Sequence, residues 1–184
     1  SLLGGYAGVE GNSDRNFTAY ETILSGDLGV NTVTSDNSYN VLTILDGNAS
    51  TVLDGFTITG GYANGSDQHG RGGGIYVWEG APKLRNLVVR DNYATERGGG
   101  LAIFASNAVV EDCSFVANQS QNGGGMMADK DFWGARNSSA IQVARLRFEG
   151  NSATSGGGLL VGGNTTITAS DLTFIGNSAT NGGG

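Results

Sequence analysis

The sequence predicts an all-β solenoid, a stack of strand-turn-strand coils in parallel register. Two observations predict it. A phrase with Asn in a fixed place, followed by a Gly triplet, recurs through the second half of the chain. The residues between these punctuation marks keep apolar side chains at strand spacing. Val89-Arg90-Asp91-Asn92 is followed by Gly98-Gly99-Gly100, and Phe115-Val116-Ala117-Asn118 by Gly123-Gly124-Gly125. Phe148-Glu149-Gly150-Asn151 is followed by Gly156-Gly157-Gly158, and Phe174-Ile175-Gly176-Asn177 by Gly182-Gly183-Gly184. The Asn positions are 26, 33 and 26 apart, and Gly triplets begin at 72, 98, 123, 156 and 182. A near-constant period of this size marks stacked repeats, each of which buries its apolar face only against its neighbours.

Each element follows from the alignment on Asn. Three residues before it stand Val89, Phe115, Phe148 and Phe174; five before it, Leu87, Cys113, Leu146 and Leu172. A spacing of two between apolar columns is strand alternation. Eight before the Asn stand Leu84, Val110, Val143 and Ala169, which open a preceding strand. Directly after the Gly triplets come Ile75, Leu101, Met126 and Leu159, the start of another. The Asn and Gly clusters are turns, because both residues tolerate positive φ. A degenerate earlier copy runs through Leu53, Phe56 and Ile58, with Gly61 in the Asn position. Coils of about 26 residues should begin near 40, 72, 98, 123 and 156. Residues 1–39 should form irregular N-terminal coils, and 40–184 regular ones with insertions near 61–71 and 129–136. The whole chain, 1–184, reads as one array. It opens inside a patterned segment and stops on a Gly triplet, which suggests a piece of a longer protein.

The spacing Leu84-x-x-Leu87-x-Val89-x-x-Asn92 also fits a leucine-rich repeat. Such a repeat would need a helix or extended return after the Asn. The return here, Tyr93-Ala94-Thr95-Glu96-Arg97-Gly98-Gly99-Gly100, is poor helix material. In the solenoid reading, like residues stack over like at roughly 4.8 Å. Phe115, Phe148 and Phe174 then form an inward aromatic stack. Asn92, Asn118, Asn151 and Asn177 form a ladder of buried amides.

Composition narrows the function classes. Of 184 residues, 33 are Gly and one is Pro, which is not collagen. The net charge of -7, without a basic stripe, argues against nucleic acid as a partner. No apolar run is long enough for a membrane-spanning helix, so this segment is not expected to insert into a membrane. Cys113, the only cysteine, sits in an apolar column and reads as a small buried hydrophobe.

The pairing of Phe-x-x-Asn with Gly-Gly-Gly-[Leu/Met/Ile] resembles the repeats of chlamydial polymorphic outer-membrane proteins. More broadly, the chain is similar to the bacterial right-handed parallel β-helix proteins of the pectin-lyase-like superfamily. The front segments Leu3-Gly4-Gly5-Tyr6-Ala7-Gly8-Val9-Glu10, Ile23-Leu24-Ser25-Gly26-Asp27 and Leu53-Asp54-Gly55-Phe56-Thr57-Ile58-Thr59-Gly60-Gly61 share in this likeness. The resemblance implies a right-handed parallel β-helix and an extracellular or cell-surface location. It does not fix an activity, since that fold hosts enzymes, adhesins and passengers alike.

Catalytic residues are not evident. Glycan-cleaving members of the superfamily use clustered Asp with Lys, Arg or His. Here Asp46 and Asp54 lie on an early coil. Asp112 and Asp171 share a column with Asn86 and Arg145, a mixture typical of a solvated turn. His69, the sole His, sits in a Gly-rich insertion and reads as a solvated loop residue. No cofactor or metal site is expected; Asp67, Asp129 and Asp131 lie in loops without a fixed ligand pattern. Six Asn-x-Ser/Thr sequons occur, but Asn118 belongs to the expected ladder, so the set does not read as glycan sites. Binding candidates are Phe132, Trp133 and Arg136 in the insertion near 129–136, and Trp78 near a turn in the coil above, because solenoid insertions protrude and aromatic rings stack on sugars or partners.

These observations favour a non-enzymatic extracellular structural or adhesin-like β-helix segment of a large bacterial surface protein, able to form filaments. A carbohydrate-active lyase or hydrolase domain and a carbohydrate-binding module are the alternatives. The expected partners are surface glycans or the chain itself, by head-to-tail stacking or further repeats.

Overall fold

The computed structural model describes residues 1–9, 14–30, 33–130 and 139–184. Within them the repeats close into four-sided coils that stack in register. Face 1 contains Val52–Asp54, Lys83–Arg85, Val109–Glu111 and the first parts of Ser139–Glu149 and Thr165–Ile175. Face 2 contains Ile23–Ser25, Thr57–Thr59, Val88–Arg90, Ser114–Val116 and the second parts of those two long strands. Face 3 runs through Tyr62–Ala63, Tyr93–Arg97, Gln119–Asn122, Ser152–Ser155 and Ser178–Asn181. Face 4 runs through Leu42–Leu45, Ile75–Trp78, Leu101–Phe104, Met126–Asp129 and Leu159–Val161. Faces 1 and 2 join as one ten-stranded sheet, and faces 3 and 4 are five-stranded sheets. Every strand ladder among the described residues is parallel. The chain is thus an all-β parallel β-helix. Its described helical segments are the short 3-10 turns Thr34–Asp36 and Asp67–Gly70, so the leucine-rich alternative does not hold.

Corners are made by single residues in the left-handed region. Between faces 1 and 2 these are Gly55, Asn86, Asp112, Arg145 and Asp171, with φ of 81°, 53°, 54°, 55° and 55°. The mixed Asp, Asn and Arg column is therefore a bend. A second corner column, between faces 2 and 3, holds Gly60, Asp91, Ala117, Gly150 and Gly176. Left-handed φ costs an ordinary side chain energy that Gly, Asn and Asp escape more easily.

Inside, like stacks on like. Phe115 pairs in register with Val89 on one side and Phe148 on the other, and Phe148 with Phe174. The Phe115 and Phe148 rings lie 5.1 Å apart at 12°, and Phe148 and Phe174 lie 5.0 Å apart at 8°. Phe115 and Phe148 are fully buried. Phe174, in the last described coil, is 39% exposed because no coil lies over it here. Cys113 is buried in the same core, and burial pushes its thiol pKa up to about 12.

The Asn ladder explains why Asn recurs. The Oδ1 of Asn118 accepts from the backbone N–H and Nδ2 of Asn92, at 3.2 and 3.1 Å. Its own Nδ2 donates to Val89 O at 2.8 Å and Asn151 Oδ1 at 3.0 Å. Asn151 repeats the pattern on Phe115 O and Asn177. Asn177 bonds Phe148 O at 2.9 Å. The ladder starts at Gly61, whose N–H donates to Asn92 Oδ1 at 2.9 Å. A primary amide accepts at its oxygen while its nitrogen donates two bonds, a set that neither Asp nor Leu could supply. Asn92, Asn118 and Asn151 are buried with these bonds made.

The Gly triplet is complementary to this interior. Its first residue takes positive φ, 62° at Gly98 and 66° at Gly123. Its third lies against the ladder. A Cβ on Gly125 would come within 2.8 Å of the Phe148 ring and 2.6 Å of Gly158 O, so any side chain would push the coils apart.

Candidate functional site

Face 4 breaks the rule of one buried and one wet side. Ile75 and Val77 point into the solenoid and belong to the main core, as do Leu101 and Ile103. The alternate residues Tyr76, Ala102 and Phe104 form a second apolar cluster, with Trp78 packed against it. Alternation puts this cluster on the outside of the sheet. The rings of Tyr76 and Phe104 are 5.9 Å apart, and Trp78 stands 6.3 Å from Phe104. Such a strand should read as a continuous apolar run, and Ile75-Tyr76-Val77-Trp78 and Leu101-Ala102-Ile103-Phe104 do.

The insertion at 64–71 folds over this outer cluster. Arg71 anchors it: its guanidinium lies 5.6 Å from the Phe104 ring centroid, and its Nε donates to Glu96 Oε2 at 2.9 Å. Asn40 Nδ2 donates to the carbonyls of Arg71 and Gly72, at 2.6 and 2.7 Å. The 3-10 turn Asp67–Gly70 closes the loop, with His69 N–H donating to Ser66 O and Gly65 N–H to His69 O. Tyr39 stacks on the His69 ring, with centroids 5.0 Å apart.

Between this loop and face 4 lies a cleft of about 420 Å³ lined by Leu45, Ser66, Asp67, Gln68, His69, Tyr76 and Trp78. Leu45 and Trp78 give it an apolar side, and Ser66, Asp67, Gln68 and His69 a hydrogen-bonding side. Leu45 is 60% exposed, so the apolar surface faces solvent. An apolar wall facing a few convergent polar groups is the usual build of a small-molecule site. The groove at the Asn corner is less suited. There Tyr62 and Tyr93 stack on each other at 4.7 Å, which occupies one face of each ring.

Of the four sequence-derived binding candidates, Trp78 lies in the cleft. Phe132, Trp133 and Arg136 fall outside the described residues. His69, expected to be a solvated loop residue, is exposed, and it also stacks on Tyr39 and lines the cleft. Leu45, Tyr76 and Tyr39 were not singled out by sequence; the unbroken apolar runs of face 4 were the available signal for its outer cluster.

Three of the carboxylates nominated by sequence, Asp54, Asp112 and Asp129, are engaged by arginines outside the cleft. Asp54, 1% exposed, accepts from Arg15, Arg85 and Asn86 at 2.7, 2.8 and 2.8 Å. Burial opposes its ionisation, but these bonds outweigh it and hold its pKa below the usual carboxylate value. Asp112 takes both arms of Arg145, at 2.5 and 2.9 Å, and that pairing lowers its pKa too. Asp129 pairs with Arg97 at 2.6 Å. Among the described residues no group of three His, Cys, Asp or Glu side chains is placed to hold a metal ion. The cleft itself contributes one carboxylate, Asp67, and one imidazole, His69, an arrangement suited to recognising hydroxyl groups.

Comparison with known proteins agrees with this architecture. The family model described as "right handed beta helix region" matches residues 5–184. Neither the curated proteins nor the solved structures provide a match. With nearly its whole length covered, the chain belongs to the right-handed β-helix family.

Proposed function

We propose that this chain is an extracellular, non-enzymatic, adhesin-like β-helix segment that presents the face 4 cleft to a surface glycan. The observation that carries this reading is the cleft, where the apolar side of Leu45 and Trp78 faces the polar groups of Ser66, Asp67, Gln68 and His69. A sugar ring has the matching two-sided character: a C–H face that packs on an aromatic ring, and a rim of hydroxyls. The solenoid beneath supplies rigidity, since its Asn and Phe ladders tie each coil to the next. The commitment of Asp54, Asp112 and Asp129 to arginines supports binding over cleavage. The likeness of the repeats to chlamydial polymorphic outer-membrane proteins supports a cell-surface setting.

An immobilised-glycan panel tests the reading. The wild-type chain should bind a subset of glycans without shortening them, and Trp78→Ala should weaken that binding. Trp78-independent binding, or release of shorter sugars, would refute it. Labelling of intact cells with an antibody against the chain tests the location.

A second reading is self-association, because a coil of this pattern buries its apolar ladder only against a neighbour of the same pattern. Sedimentation across a wide concentration range separates a stable monomer from head-to-tail growth, which is heterologous and open-ended.

A further inference from the structure

We infer that the face 4 cleft selects neutral sugars and excludes acidic ones. This rests on the glycan reading of the same cleft and adds the chemical class. The selecting group is Asp67, one of the polar residues of the lining. It lies in the exposed part of the 64–71 loop, so its carboxylate meets the ligand rather than the core. A carboxylate accepts charge-assisted hydrogen bonds from sugar hydroxyls, which are stronger than neutral ones. The same group repels a uronate or sialate carboxylate, and a site can reject a competitor through such a repulsive element.

The nearest guanidinium on the loop does not offset this repulsion. Arg71 is 6% exposed, lies over the Phe104 ring and pairs with Glu96. Among the described residues of the lining, the remaining nitrogen-bearing groups are the Gln68 amide, the His69 imidazole and the Trp78 indole. None is a permanent cation. His69 is held in place by its stack on Tyr39 and by the backbone bonds at both ends of its turn. The imidazole is therefore set before ligand arrives, which lowers the cost of binding.

Calorimetric titration of the full chain tests the selection. The probes are neutral oligosaccharides (cello-, chito- and galacto-series) and, separately, oligogalacturonate and sialyllactose. At least one neutral series should bind. Trp78→Ala should weaken that binding by on the order of tenfold, the equivalent of about 1.4 kcal/mol. Acidic probes should not bind the wild type but should gain affinity in Asp67→Asn. Thermal melting checks that each variant is folded, and Gln68→Ala provides a second cleft variant if Trp78→Ala does not fold. Trp78-dependent binding of acidic probes to the wild type, as tight as neutral ones, would overturn the selectivity and leave the glycan reading standing. An acidic preference unchanged by Asp67→Asn would overturn it as well. Failure of every sugar to bind in a Trp78- or Gln68-dependent way, with a proline-rich or aromatic peptide binding in its place or not, would overturn both.

Discussion

The Asn corner and the outer side of face 4 are built on the same coils by opposite rules. At the corner, one residue type performs one task in successive coils. Asn92, Asn118, Asn151 and Asn177 each bond the same carbonyl position of the coil before. On the outer side of face 4 successive coils place Leu45, Trp78, Phe104 and Asp129 at the same register, and no two are alike. The repeated surface is internal and satisfied; the varied one meets the insertion at 64–71 and forms a cleft. Repetition suits a scaffold, because any coil that fits its neighbour can be stacked again. Recognition needs positions freed from that constraint.

Substitutions can break this contrast. The largest effect is expected from Phe148→Ala, which would leave a hole between Phe115 and Phe174 whose walls are fixed by the ladders. Chemical denaturation should show a loss of roughly 3–5 kcal/mol, with glycan binding by the folded protein unchanged. Asn118→Ala comes next. It strands the N–H of Asn92 and the carbonyl of Val89 in the interior, at about 1–3 kcal/mol. A loss near zero would mean that water replaces the amide, and that the ladder is not what holds the corner.

Trp78→Ala should do the reverse, costing about 1 kcal/mol or less from its aromatic contacts while weakening glycan binding by on the order of tenfold. The smallest effect concerns acid. Asp54 and Asp112 have pKa values lowered by folding, so their stabilisation is present above the unfolded carboxylate pKa of about 4. It is lost as pH falls through their folded values. Stability should therefore be flat in these groups from neutrality to about pH 4 and decline below it. Asp54→Asn should flatten part of that decline. Cys113 offers a separate check of burial. With its thiol pushed up to about 12 and sealed in the core, it should resist alkylation at pH 8 until the chain is unfolded.

What the sequence disclosed follows the same division. The coil, the Phe stack and the Asn ladder were legible because each requires a particular residue at a particular phase in successive coils. The bend at Asn86, Asp112, Arg145 and Asp171 was legible as a turn, although Arg in a left-handed corner is not a residue that turn preference would choose. The cleft was only half legible. Trp78 stood out as an aromatic near a turn, but Tyr39, Leu45 and His69 come from separate stretches and share no period. His69 is exposed, as a lone loop His should be, but nothing local in Gln68-His69-Gly70-Arg71 shows that Tyr39 will lie against its ring. The buried outer cluster was written in the unbroken apolar runs of face 4. A strict search for alternation passes over such runs, because they mark a strand covered on both sides.

Hydrogen exchange read by mass spectrometry, with and without a binding neutral oligosaccharide, tests the division between scaffold and cleft most directly. Amides of the Asn corner around 92, 118 and 151 should be the slowest to exchange and indifferent to ligand. New protection should be confined to segments around 42–46 and 64–78. Protection spreading along the Asn corner, or absent from 64–78 while the sugar is bound, would contradict the separation of an internal repeated scaffold from an external, unrepeated binding surface.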